Sequence, residues 1–125
     1  MALRWSPALL ALWGCAACAS AGVTLTANLA PERSLELTLR NASAQSIGYN
    51  LCTSALERRN GDAWTAVKSR RICTMELRTL EPGSEARYSF SIADLPSGEY
   101  RARARIEGVT TQVLSEPFHV DGLMR

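Results

Sequence analysis

Few residue types in this chain could do chemistry, and cysteine comes first among them. Cys15 and Cys18 form a C-x-x-C inside GCAACAS, and Cys52 and Cys73 stand apart further along. A C-x-x-C does redox work when a helix N-terminus lowers one thiol pKa, and holds zinc when further ligands complete the set. Neither context surrounds Cys15 and Cys18, which follow directly on an apolar run near Met1. The single histidine, His119, lies two residues after Pro117 and far in sequence from Cys52 and Cys73. Two thiols and one imidazole are too few for a structural zinc site, so neither metal nor cofactor is expected. A nucleophile needs a base within reach and a third group to orient that base; His119 reads instead as a strand-edge residue. Asp62 and Asp94 fall in turns, where Asp is at home. Glu99 and Glu107 bracket an arginine-rich strand and are expected to pair with cations across strands. The glycines are scattered through turns, with no phosphate-cradling loop. The chain reads as a non-enzyme.

Arginine supplies the sharpest polar pattern. Arg101, Arg103 and Arg105 alternate in RARARI, which puts them on one strand face about 7 Å apart. Arg58 and Arg59, with Lys68, Arg70 and Arg71, form a second cluster around a hairpin and Cys73. The row could grip an anionic polymer or an acidic partner surface, and the second cluster could form a binding patch of loops at one end of the sandwich; the partner, a protein or an envelope component, is not named by the sequence. Alternatively, the row is a solvated face neutralised by Glu36, Glu76 or Glu85, and alternating charge also guards a strand against edge-to-edge pairing. Nucleic acid is excluded as a partner. The chain has 14 basic and 12 acidic side chains, and with Arg4 set aside in the leader the remainder is almost neutral, whereas nucleic-acid binding leaves a clear basic excess.

These residues need a compartment and a scaffold. Residues 1–21 read as a signal peptide: Arg4, an apolar segment from Pro7 to Trp13, then small residues that fit A-x-A cleavage at Ala17-Cys18-Ala19 and Ala19-Ser20-Ala21. The apolar run falls short of the roughly 20 residues a membrane span needs. Leu12-Trp13-Gly14-Cys15 also fits a lipobox, with Cys15 the lipidated residue, as an alternative to plain cleavage. Either route exports residues 22–125 to the periplasm or beyond, anchored to a membrane only if Cys15 carries lipid. Export places Cys52 and Cys73 in an oxidising compartment, where a lone pair in a small domain reads as one disulfide.

The scaffold has a period of two throughout. Leu35, Leu37 and Leu39 alternate with Glu36, Thr38 and Arg40; Tyr100, Ala102, Ala104 and Ile106 alternate with the arginine row. Asn60-Gly61 predicts a hairpin with Leu56 and Trp64 as core residues on either side. A further strand is expected over RRICTMELRTL, a Pro-Gly turn over Glu81–Ser84, and a last strand over Thr111–Val120 with Pro117 on an edge. About seven strands at intervals of roughly 8–12 residues give an antiparallel β-sandwich of immunoglobulin type. Leu95–Tyr100 (LPSGEY) has the form of a tyrosine corner.

N-x-S at Asn41, YNLC at Tyr49–Cys52, LERRNGDAW at Leu56–Trp64, LEPGS at Leu80–Ser84 and LPSGEY together resemble bacterial exported immunoglobulin-like domains. The same layout is similar to the bacterial intracellular proteinase inhibitor family, with its G-x-x-W hairpin, L-x-PG-x turn and closing L-P-x-G-x-Y. The likeness covers nearly all of residues 22–125. It implies a sandwich fold and a binding or structural module of the cell envelope. The alternative it implies is a proteinase inhibitor that presents a stiff exposed loop, such as the hairpin at Asn60-Gly61.

Overall fold

Wherever alternation is clean in the sequence, a strand forms. The computed structural model describes residues 22–108, 110 and 112–121; the signal peptide expected over residues 1–21, with its C-x-x-C and the lipidation candidate Cys15, lies outside them. The strands are β1 (Val23–Ala30), β2 (Ser34–Asn41), β3 (Ile47–Tyr49), β4 (Ala55–Asn60), β5 (Ala63–Ala66), β6 (Arg78–Leu80), β7 (Glu85–Ser91), β8 (Gly98–Glu107), β9 (Gln112–Leu114) and β10 (Phe118–Val120). One sheet has the order β1-β2-β7; the other runs β5-β4-β8-β3-β6, with β9 and β10 also paired to β8. All pairings are antiparallel.

The two sheets bury one cluster between them. Leu35, Leu37 and Leu39 of β2 join Tyr100, Ala102, Ala104 and Ile106 of β8, with Val23, Leu25, Ile47, Leu51 and Leu56 around them. Each leucine that leaves water here stabilises the fold by about 2 kcal/mol. Two polar devices lock the ends. Asn41 is wholly buried; its Nδ2 donates to Gln45 O (2.8 Å) and Leu80 O (2.9 Å), while its Oδ1 accepts from the Ser43 amide and hydroxyl. The Tyr100 hydroxyl donates to Pro96 O at 2.7 Å, which is the predicted tyrosine corner. Burial raises the Tyr100 pKa above its ordinary value, an effect the nearby Arg58 partly opposes.

Four expectations need correction. The hairpin turns one residue later than the Asn-Gly pair suggested: Asn60 pairs with Ala63, so Gly61 and Asp62 form the loop. Gly61 has φ 68° and Asp62 is not in the positive-φ region, as a II′ turn requires. Trp64 is half-buried on the outer face of its sheet instead of in the core, because it pairs with Arg59 across the hairpin. The last strand breaks into β9 and β10, since Pro117 has no amide to continue the ladder. Beside the break, buried Ser115 bonds Ala102 with its amide and hydroxyl (both 2.9 Å).

The fourth correction is the largest. The strand expected over RRICTMELRTL survives only as β6. Residues 67–77 cross the open side of the sandwich without regular structure. In a strand, Cys73, Met75 and Leu77 would share one face and Ile72, Thr74 and Glu76 the other, a pattern that local sequence alone does not forbid. The bond from Cys73 to Cys52 holds the segment off any ladder instead.

Candidate functional site

The predicted arginines do not converge. The structure divides them among β4, the outer face of β8 and the strap formed by residues 67–77.

On the sheet face, the row is already partnered. β4 lies beside β8 with Glu57 opposite Arg101. Arg101 Nε donates to Glu57 Oε1 at 2.6 Å and Arg103 Nε to Glu57 Oε2 at 3.0 Å, and the Glu57 side chain is only 14% exposed. Arg101 also lies over the Trp64 ring, 4.4 Å from its centroid, and Arg59 flanks the same ring at 5.8 Å. Arg59 reaches Glu99 at 3.4 Å, the cross-strand pairing expected of Glu99. The expected counter-charges Glu76 and Glu85 are engaged elsewhere, by Arg78 and by Arg40 and Arg87. Arg105 is exposed at the far end of the row. Arg58 turns away from the patch: it donates to Ser97 O at 2.7 Å and lies over Tyr100.

The strap is built differently. Asn50 caps a 3₁₀ turn at Leu51–Thr53 through its side chain, and this turn breaks the strand path between β3 and β4. The break aims Cys52 outward to meet Cys73, with Cα atoms 5.8 Å apart. The Tyr88 hydroxyl donates to Cys52 Sγ at 3.3 Å. Asn50 Nδ2 holds Thr74 O at 2.7 Å. Arg71 is turned inward, donating to Cys52 O (3.2 Å) and to Ser54 O and stacking on Phe90 at 4.1 Å. Burial lowers its pKa from the ordinary arginine value, with Tyr88 acting in the other direction. Arg71 is therefore a fastener and not a binding residue. Lys68 and Arg70 remain exposed.

Between these fasteners the strap holds apolar side chains in water. Ile72 is 96% exposed, Met75 89% and Leu77 56%. Sequence reasoning missed them by placing them in a strand. No local signal marks them, because Cys73, Met75 and Leu77 alternate with Thr74 and Glu76 as a one-sided strand does. Clefts flank the strap on both sides, one under Arg78 and Tyr88 and one between Val67, Phe90 and Leu95.

No residues gather for acid–base or metal chemistry among those described. His119 pairs with Asp121 at 3.3 Å in the open, with both side chains well over half exposed. No three His, Cys, Asp or Glu side chains come close enough to hold a metal ion among the described residues, nor does any helix there have the length and apolarity to cross a membrane.

The sandwich falls within a family match over residues 20–119, described as a bacterial Ig-like domain. This chain belongs to the bacterial Ig-like domain family. No curated protein matches it. The Ig-like domain supports a binding or structural module, in a family that is typically non-catalytic; the likeness to proteinase inhibitors is not carried by the match.

Proposed function

We propose that this Ig-like domain is an exported, non-enzymatic binding module of the cell envelope, and that it binds through the strap at 67–77. The observation that carries the reading is the exposure of Ile72 and Met75 on a segment fastened by the Cys52–Cys73 bond. Large apolar groups held together in water mark interaction sites, and loops on a rigid sandwich are where binding resides. A disulfide suits an oxidising compartment. The leader-like residues 1–19 lie outside the family match. The inhibitor alternative gains nothing from the hairpin: strand pairing runs right up to Asn60 and Ala63, which leaves no extended loop to enter a protease cleft.

Expression in an export-competent bacterium, followed by intact mass with and without reduction, tests the reading. It predicts a chain processed at Cys15 with added lipid, or cleaved near Ser20 or Gly22, that gains two hydrogens on reduction. An unprocessed chain with free thiols in the cytoplasm overturns it.

A further inference from the structure

We infer that the strap docks onto an anionic lipid surface, with Ile72 and Met75 entering the headgroup boundary and Lys68 and Arg70 holding lipid phosphates. This rests on the reading of the strap as the binding element.

The charge pattern selects the occupant. Lys68 and Arg70 are exposed, and neither makes an ion pair among the described residues. Asp94 lines the same cleft beyond ion-pair reach. The one strap acid, Glu76, sits at the other end and faces Arg78 at 3.9 Å. No charge lies between Ile72 and Met75, where the sequence is Cys73-Thr74. Cationic heads beside aliphatic side chains are the combination that binds an anionic membrane interface, where apolar groups sink about 5–10 Å. Insertion that shallow leaves the strap backbone among hydrated headgroups, so its lack of regular structure is tolerated there.

A protein partner is less well served. Protein interfaces centre on buried aromatic or arginine anchors, and several beside the strap are engaged: Phe90 lies under Arg71, Arg71 bonds two carbonyls, and the Tyr88 hydroxyl donates to Cys52 Sγ. Met75 stands in water, and Ile72 stands at the rim of the cleft under Tyr88 with almost all of its surface exposed, so neither offers a partner a buried anchor. The fasteners further favour docking, because Cys73, Arg71 and Thr74 hold the strap in place before it binds and little order remains to be gained.

Methionine oxidation reads this surface directly. The purified oxidised full chain is exposed to dilute peroxide with vesicles of phosphatidylglycerol, with vesicles of phosphatidylcholine, or with none, and sulfoxide at Met75 is followed by peptide mass. The proposal predicts oxidation of Met75 about tenfold slower with phosphatidylglycerol alone, relieved by high salt. The Lys68→Ser/Arg70→Ser variant should lose that protection. This control matters because the N-terminal apolar segment could tether any variant to a vesicle. Equal oxidation rates with and without anionic vesicles overturn the proposal. So does protection that grows with protein concentration in the absence of lipid, which marks a second copy as the occupant. The assay uses purified protein, so it reads the strap whether or not the cell exports the chain.

Discussion

The outer face of β8 and the strap at 67–77 are both rich in arginine, yet they end in opposite states. On β8, strand pairing sets Glu57 of β4 where it takes up both Arg101 and Arg103, while Arg105 at the far end stays exposed. The strap has no strand partner. Its inward arginine, Arg71, is consumed by fastening, and Lys68 and Arg70 are left in water beside Ile72 and Met75. Regular pairing neutralises charge as a matter of geometry, whereas a segment that leaves the sheet keeps its charge available. A row of arginines on a strand is therefore a weaker sign of binding than two cations on a loop.

The largest effect should come from the staple. The double change Cys52→Ser and Cys73→Ser releases a loop closed over a separation of 21 residues, and about 3 kcal/mol of stability should go with it. Urea unfolding measures the loss, and limited trypsin digestion should then cut first after Lys68, Arg70 or Arg71. If the strap resists trypsin as well as before, Arg71 and Asn50 hold it unaided, and the contrast with the sheet narrows.

Glu57→Gln attacks the other region. It removes the charge shared by Arg101 and Arg103 in a partly buried site and should lower stability by about 2 kcal/mol. An unchanged urea midpoint would mean that the sheet face is held by Trp64 stacking alone.

A smaller effect belongs to the corner beneath both regions. Tyr100→Phe removes the bond to Pro96 O at a cost of about 1 kcal/mol near neutral pH. Because the Tyr100 pKa is raised in the folded state, its contribution is fully present below the ordinary value of 10.0 and is lost as pH rises beyond it. Melting curves of the unmodified chain should fall across that alkaline range, and those of Tyr100→Phe should fall less. The smallest effect on stability is expected for Ile72→Ser with Met75→Ser, within about 0.5 kcal/mol of the parent, since neither side chain is packed. A large loss there would place both residues in a core that their exposure denies.

Much of this was legible from the residues. The alternation in β2 and β8 assigned their faces correctly, because one side of each strand meets the core and the other meets water or charge. The Pro82-Gly83 turn formed as expected, with Gly83 at φ 82°. Cys52 and Cys73 were paired from their number and setting. The strap was not legible: its residues have a strand-like composition, and only the disulfide and the capped 3₁₀ turn at Leu51–Thr53 exclude it from the sheet. Glu57 as the shared partner was equally hidden, since cross-strand register between β4 and β8 is a tertiary fact with no local mark.

The most direct measurement compares two variants of matched charge for the protection of Met75 from peroxide by phosphatidylglycerol vesicles. Lys68→Gln/Arg70→Gln strips the strap, and Arg103→Gln/Arg105→Gln strips the sheet face while leaving Arg101 on Glu57. The strap variant should lose most of that protection, and the sheet variant should be protected like the unmodified chain. Equal losses in both would show that net charge alone governs the interaction, and a loss confined to the sheet variant would place binding on β8; either result contradicts the account.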